Sequence, residues 1–334
     1  MLFAKTMLSR TDFTSVWNRP NQSTSSSDSG RISELWTTPN KKALHSPVKQ
    51  SDLAPLTSLV SSEQFGLQWL LQKEPEDSFE ETPFTRLSID WIMESAEFKN
   101  EQNKVHFVLE ALRLSEEEIC TIEANTRGQR SNTVWLQIRK KRLTASNFGL
   151  ILGQICRRLK NPNYSFTKSL FKTLNQEYCM GGVRAIGYGV QHEADAAQQY
   201  SRISNHQVID AGLFLHRNGI LGASPDGVIS SDRLVEFKCP FTFRNSLSLD
   251  EVIFHKQCCL IKAGRGYDLK RNHNYYHQVQ GQLYICNKQF CDFVYWTPKW
   301  CEVVTVQKDP EWEINLELLE EFYKNIYLDH IIGK

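Results

Sequence analysis

The chain has 334 residues, 40% of them hydrophobic, which predicts one large or two modest globular domains with a substantial core. Its 39 Lys and Arg residues nearly balance its 38 Asp and Glu residues, which excludes the overall basicity of many nucleic-acid-binding proteins, so any such surface must be local. No apolar run approaches the ~20 residues of a membrane span, and the nine cysteines form no C-x-x-C pair. We expect an intracellular protein with no membrane partner.

The first 130 residues divide into two predicted parts. Residues 1–78 are rich in Ser, Thr, Asn and Pro and lack an apolar period, which predicts a disordered tail. Residues 79–130 show helical spacing and form a predicted accessory region, in which Ser115 and Glu118 match a capping box. The opening residues contain Arg and Ser and few acids, so the mitochondrion is an alternative to the nucleus, which we favour.

Residues 131–334 mix helices and strands and are predicted to form the main domain. Helices are predicted over "SNFGLILGQI", residues 189–201 and "YYHQVQGQLYI", and strands over "AGLFLH", "ILGASPDGVI", "RLVEFKCP" and "FCDFVYWTP". This pattern indicates an α/β or α+β core.

One stretch, "GASPDGVISSDRLVEFKCP", places charged residues among apolar strand residues. Side chains alternate along a strand, so Glu236 and Lys238 project together, with their neighbours in the core. Residues 222–229 are predicted to pair with this strand in a hairpin closed by "SSD". In that hairpin Asp226 faces Glu236.

Two facing carboxylates repel one another unless a cation lies between them. Oxygen ligands of this type suit Mg²⁺ or Mn²⁺, and a lysine beside such a metal can position or deprotonate a water molecule. The stretch therefore indicates a phosphodiester-hydrolysing site. The alternative for an isolated E-x-K is a surface hairpin with a solvated salt bridge.

Two predicted helices carry polar residues that fit the same site. Glu193 lies on the helix of residues 189–201 and could supply a further oxygen, although such an acid is more often an ordinary surface residue. Gln278 and Gln282 lie four residues apart on one side of "YYHQVQGQLYI". Amides on an otherwise apolar helix need hydrogen-bond partners, and a phosphate or a metal-bound water would serve.

This order of motifs, a helix Glu, then Pro-Asp, Glu-x-Lys and a helix with Gln-x-Gln, resembles the PD-(D/E)XK nuclease superfamily. More narrowly, it resembles the YqaJ viral-recombinase family, which includes the phage lambda exonuclease, over about residues 130–300. The resemblance implies a restriction-endonuclease-like core, in which a central mixed β-sheet is flanked by helices, and Mg²⁺ as cofactor, with Mn²⁺ as an alternative.

The resemblance also implies roles for individual residues. Asp226, Glu236 and the carbonyl of Phe237 would be metal ligands, with Glu193 as the helix carboxylate near the metal. Lys238 would be the catalytic lysine. The supporting amide would be Gln278.

The segment "WLQIRKKRLTASNFGLIL" resembles the entry segment of that family, where Arg139 and Ser146 match positions around a DNA phosphate. An arginine beside a helix start forms an anion site, and Arg142 could assist there. The first 130 residues and the insert "FHKQCCLIKAGRGYDLKRNHN" have no counterpart in the compact phage enzymes. The insert's basic residues could hold DNA or lie on a mobile surface loop; they are Lys262, Arg265, Lys270 and Arg271.

The sequence thus predicts a metal-dependent DNA nuclease, more specifically an exonuclease acting on duplex ends in recombination or in a viral or mobile element. An endonuclease, and a non-catalytic nucleic-acid-binding module of the same fold, are the alternatives. DNA is the expected partner, together with unidentified proteins bound through the N-terminal region. The oligomeric state, including a homo-oligomer, and the polarity of digestion are left open.

Overall fold

The computed structural model describes residues 84–175 and 184–333, which belong to one compact unit, Glu80–Lys334. The tail predicted for residues 1–78 lies outside the described residues. Within the described ranges, no helix is long and apolar enough to cross a membrane.

Short helices with polar N-caps occupy the start of the described chain. They are α1 (Ile89–Glu94), α2 (Ala96–Asn100), α3 (Lys104–Ala111), α4 (Glu116–Asn125) and α5 (Thr133–Arg139). Each begins after a Ser or Asn whose side chain accepts a backbone N–H of the first turn. The capping box of Ser115 and Glu118 is confirmed. Because Ile92 and Leu112 belong to the main hydrophobic core, these helices are part of the same packed body.

Further helices follow, and they include the longest of the described residues. They are α6 (Ala145–Lys160), α7 (Lys168–Leu174), α8 (Arg184–Ser204), α9 (Asn274–Ile285), α10 (Ile314–Phe322) and α11 (Leu328–Ile332). A π-helical turn, Tyr323–Tyr327, joins the last two. Helices α6 and α9 approach closely because Gly281 leaves room for Phe148, whose ring would lie 2.4 Å from a Cβ at that position. The predicted helix at 189–201 is confirmed and extends further in both directions.

The strands form three sheets. They are β1 (Leu143–Thr144), β2 (Phe214–Leu215), β3 (Leu221–Ala223), β4 (Gly227–Val228), β5 (Arg233–Lys238), β6 (Leu260–Ala263), β7 (Gly266–Leu269), β8 (Phe290–Trp296) and β9 (Cys301–Gln307). The central sheet has the order β4-β5-β8-β9, with β5 parallel to β8 and the other pairs antiparallel. The smaller sheets have the order β1-β3-β2 and β6-β7. The predicted central mixed sheet is confirmed.

Helices cover both faces of the central sheet. Ala196 and Tyr200 of α8 pack against Val235 and Phe237 of β5. On the opposite face, α9 packs against β8 and directs Gln278 toward β5. Strand β5 is therefore buried on both sides, which contradicts the picture of Glu236 on a solvated hairpin face.

The predicted hairpin is shorter than expected. Residues 222–229 do not form one strand, because Leu221–Ala223 belongs to the sheet of β1 and β2, while Gly227–Val228 pairs with β5. Ser224, Pro225 and Asp226 connect the two strands. This break places Asp226 at the junction of two sheets.

Candidate active site

The centre of the site is the carboxylate of Glu236, which is only 2% exposed on β5. Its Oε1 accepts hydrogen bonds from Lys238 Nζ and Gln278 Nε2. Its Oε2 accepts from Gln282 Nε2 at 2.7 Å. A buried carboxylate is stable only when it is paired or hydrogen-bonded, and these donors meet that requirement. Glu236 is therefore the hydrogen-bond partner of both glutamines of α9.

Lys238 lies on the same side of β5 as Glu236 and forms an ion pair with it. Its Nζ lies 5.2 Å from the centroid of the Tyr275 ring, within the range of a cation–π contact. Burial lowers the pKa of Lys238, but the charges of Glu236 and Asp226 raise it by more, so the pKa lies above its ordinary value. Without a metal ion, this lysine is an ammonium.

Asp226 lies one residue before β4 and reaches across to β5. The pairing of Gly227 with Val235 continues by one step to place Asp226 opposite Glu236. Its Oδ2 accepts the backbone N–H of Phe237 at 2.7 Å. Burial, and then the negative charge of Glu236, raise the pKa of Asp226 well above its ordinary value. The predicted facing pair of acids is therefore present.

Glu193 of α8 approaches the pair from the other face of the sheet. Burial raises its pKa, Arg130 opposes that effect, and the charge of Glu236 adds to it. Glu193, Asp226 and Phe237 line a cleft of about 930 Å³. The cleft gives a substrate access to the carboxylates.

The donor set fits a hard divalent cation in part. Asp226 and Glu236 hold like charges near one another, which a cation between them would relieve, and carboxylate and carbonyl oxygens suit Mg²⁺ or Mn²⁺. However, among residues 84–175 and 184–333, no three His, Cys, Asp or Glu side chains form a group that could hold a metal ion. Both Glu236 oxygens already accept hydrogen bonds. The candidate ligands are therefore limited to two carboxylates, those of Asp226 and Glu236, and the Phe237 carbonyl, with Glu193 next to them.

Arg139, predicted to contact a phosphate, stands at the end of α5 with its guanidinium 4.1 Å from the centre of the Trp135 ring. Its Nε is buried and has no hydrogen-bond partner among the described residues. Burial, and then the charge of Arg130, lower its pKa to about 10. A buried cation with an unused donor is suited to an anion. Trp135 donates to Ser224 at 2.9 Å, which links this arginine to the segment that carries Asp226.

Ser146, the second predicted phosphate contact, is exposed in the first turn of α6. Thr144 precedes this helix and makes no side-chain cap, so the first backbone N–H groups of α6 are available to an anion. Thr144 pairs with Gly222 in parallel strands β1 and β3, four residues before Asp226. The sheet thus connects the helix start to the carboxylates.

The remaining basic residues of "RKKR" have structural contacts. Lys140 and Lys141 pair with Asp90 at 2.6 and 2.5 Å. Arg142 is only 2% exposed, and its guanidinium donates to main-chain carbonyls, including Leu87 O at 2.8 Å. A phosphate contact by Arg142 would require these buried bonds to break, so the structure favours an architectural role for it.

The basic insert is an antiparallel hairpin, β6 and β7, rather than an irregular loop. Lys262 pairs with Asp250 at 2.8 Å, and Arg271 with Asp309 at 3.1 Å. Lys270 donates to a carbonyl of the same insert, that of Cys258. Arg265 is exposed in the turn. Three of the four basic side chains that sequence analysis offered to DNA therefore have protein partners.

Sequence analysis did not predict that the N-terminal region contributes to the wall of the cleft. Arg130, in the turn between α4 and α5, lines the cleft together with Glu193 and Asp226. It lies in the region predicted to be accessory. No sequence motif identifies Arg130, because its position depends on the packing of residues that are far apart in the chain, such as Gln129 and Pro225, which are 96 positions apart.

An acid before one strand, and an acid and a lysine two residues apart on its partner, follow the order of the PD-(D/E)XK motif. Residues 134–289 match the family model described as the YqaJ-like viral recombinase domain. The predicted resemblance is confirmed.

The chain is also similar to viral proteins named alkaline nuclease. It is 27% identical over 205 residues to that of Orgyia pseudotsugata multicapsid polyhedrosis virus, covering 54% of this chain and 44% of the relative. It is 27% identical over 225 residues to that of Autographa californica nuclear polyhedrosis virus, covering 62% and 51%. The chain thus spans about half the length of these relatives.

Among solved structures, the chain is similar to the shutoff and exonuclease protein from Kaposi's sarcoma-associated herpesvirus. The TM-score is 0.47 and the identity 10%, over 83% of this chain and 95% of that one.

Proposed function

We propose that this protein is a metal-dependent DNA nuclease that hydrolyses phosphodiester bonds, and that it acts as an exonuclease on duplex ends. The observation that carries the proposal is the buried Glu236, held by Lys238 and two glutamines and facing Asp226 across the sheet. A domain without catalysis has no physical reason to keep like charges together at a buried site. The match of residues 134–289 to the YqaJ-like family model supports the same conclusion.

The chain's own residues divide the work at this site. Asp226, Glu236 and the Phe237 carbonyl would hold Mg²⁺ or Mn²⁺, which supplies a Lewis acid and lowers the pKa of a coordinated water. Gln278 and Gln282 fix the rotamer of Glu236. The Lys238 ammonium orients the attacking water and stabilises negative charge that develops on the phosphate. Glu193 adds negative charge at the cleft wall.

An assay with linear and closed-circular duplexes tests the proposal. We expect linear DNA to be digested in Mg²⁺ or Mn²⁺, circular DNA to remain intact, and a chelator to stop the reaction. Nicking of closed circles would establish the endonuclease alternative. Binding of DNA without cleavage in either metal would establish the non-catalytic alternative.

We expect Arg139 and the start of α6 to bind one terminal phosphate, which predicts a preference for phosphorylated ends. A duplex with 5′-phosphates should be digested faster than the same duplex with 5′-hydroxyls, because a charge-assisted contact worth about 1.5–3 kcal/mol is lost with the phosphate. Arg139→Ala should remove most of that difference and slow the hydroxyl-ended duplex much less. The measurement is the ratio of initial rates on the two ends.

That ratio cancels any general loss of DNA affinity, since both duplexes have the same internal phosphates. Ser146→Ala should reduce the ratio by a smaller factor, because the backbone N–H groups of α6 remain. Equal rates of the unmodified protein on both ends would return Arg139 to an ordinary structural role.

A further inference from the structure

The turn between α4 and α5 is the part of the N-terminal region that lines the cleft. Gly128 and Gln129 both have left-handed backbone conformations, with φ of 83° and 42°, and a single 3₁₀ turn, Gln129–Ser131, follows. The Gln129 amide donates to the carbonyls of Ala211, at 3.1 Å, and Pro225, at 2.8 Å. Because Pro225 directly precedes Asp226, this turn is fastened to the segment that bears a catalytic acid.

The end of α4 is fixed to the same neighbourhood. Glu123 accepts the backbone N–H of Gly212 at 2.9 Å, and Thr126 Oγ1 accepts that of Leu213 at 2.7 Å. A Cβ at Gly212 would lie 2.0 Å from the Glu123 carbonyl oxygen, so the two segments are in close contact. Several buried contacts therefore determine where the residue after Gln129 stands.

That residue is Arg130, an exposed arginine on the cleft wall with Glu193, Asp226 and Phe237. Among the residues described, none forms a hydrogen bond or ion pair with its guanidinium. The positive charge of Arg130 lowers the pKa of Glu193, and it also contributes to the lowered pKa of Arg139. Arg130 is thus electrostatically close both to the acids and to the predicted terminal-phosphate site.

We propose that Arg130 binds an internal phosphate of the strand being cut, between the Arg139 site and the carboxylates. This inference rests on the proposed nuclease function. A strand that enters a cleft lined by Glu193 and Asp226 is repelled by their negative charge, and an unpaired guanidinium beside them offsets that repulsion. A phosphate bound by Arg130 also offsets the repulsion between the charges of Arg130 and Arg139. The region predicted as accessory then supplies a residue of the DNA-binding site.

The test measures binding of a 5′-hydroxyl duplex by fluorescence anisotropy in Asp226→Asn protein with Mg²⁺, so that cleavage does not interfere. Adding Arg130→Gln should weaken binding about 10- to 150-fold, as for loss of one charged phosphate contact. The slope of log Kd against log salt should fall by about one, and Arg130→Lys should keep most of that slope. The matched control is Arg113→Gln, which removes an exposed arginine that follows α3 and is paired with Glu110, and it should change neither quantity.

A structural role would give a different pattern. If Arg130 only neutralises Glu193, Arg130→Gln would have no further effect on binding in a Glu193→Gln background, and the phosphate contact would be rejected. An unchanged salt slope in Arg130→Gln would reject it as well. In cleavage assays Arg130→Gln should slow phosphate and hydroxyl ends by the same factor, unlike Arg139→Ala. Failure of the Asp226→Asn protein to bind DNA at all would instead count against the proposed function.

Discussion

Asp226→Asn and Glu236→Gln should each abolish cleavage of linear duplex DNA in Mg²⁺ or Mn²⁺. Each substitution removes the charge of a proposed metal ligand without changing the size of the side chain, so we expect the cleft to keep its shape while the affinity for a hard cation is lost. The expected loss of activity is about 10³-fold or more, as for removal of a group that acts only in the transition state. Initial rates with a saturating concentration of metal measure it.

A matched control is available in the same hairpin. Asp232 lies in the exposed turn between β4 and β5, where it accepts a hydrogen bond from Ser230 at 2.6 Å. Asp232→Asn should retain full activity. Full activity in Asp226→Asn or Glu236→Gln would reject this site as the catalytic centre.

The same variants carry a readout that does not depend on turnover. The pKa of Asp226 is raised in the folded protein by burial and by the charge of Glu236. A raised carboxyl pKa stabilises the fold below the ordinary pKa of Asp, and this contribution is lost as pH rises through the folded value. At neutral pH the Asp226 carboxylate therefore costs free energy in the metal-free protein.

Asp226→Asn should accordingly raise the Tm of the metal-free protein at neutral pH, and the gain should shrink as the pH is lowered through the raised folded pKa of Asp226. Mg²⁺ or Mn²⁺ should raise the Tm of the unmodified protein and have little effect on the variant. A metal-independent Tm in the unmodified protein, together with no gain in Asp226→Asn, would show that the acids do not face a shared cation.

The local pattern of the sequence was enough to predict the centre of this site. Alternation placed Glu236 and Lys238 on one side of a strand, and the four-residue spacing of Gln278 and Gln282 placed both amides on one side of α9. The structure joins these pairs through the Glu236 carboxylate. Periodicity could not show that β5 is covered on both faces, because burial of a strand depends on helices far away in the chain.

For the basic run "RKKR", the local pattern of the sequence was not enough to predict the role of each residue. Four adjacent cations have the same local pattern, yet Arg139 stacks on Trp135, two lysines pair with Asp90 and Arg142 is buried among carbonyls. Which of them remains available to a phosphate is decided by partners up to 77 residues away. The same limit hid Arg130, whose position is set by contacts with residues 211–213 and 225.

Lys238→Ala should lower the rate of cleavage by about 10²-fold or more while DNA binding is largely kept. The lysine touches Glu236 and would act on the attacking water, so its loss should appear in kcat rather than in KM. The variant leaves one donor fewer on a buried carboxylate, which destabilises the metal-free protein, and a bound divalent cation should restore much of that stability. Single-turnover rates and thermal melts, both with metal present, separate the two effects.

Lys238→Arg distinguishes between two roles for the lysine. A guanidinium keeps the positive charge, but it is planar and larger, so it cannot place a donor on the attacking water as the compact Lys238 ammonium does. We expect no rescue of the rate, whereas Lys99→Ala, which removes an exposed lysine paired with Glu94, should leave the rate unchanged. Near-normal turnover by Lys238→Arg would mean that Lys238 contributes only its charge, in the metal-free ion pair with Glu236 and next to the phosphate. In either case the proton of the attacking water must pass to a group other than the Lys238 ammonium, and Glu193, whose raised pKa and place on the cleft wall suit a proton acceptor, would be the next residue to change.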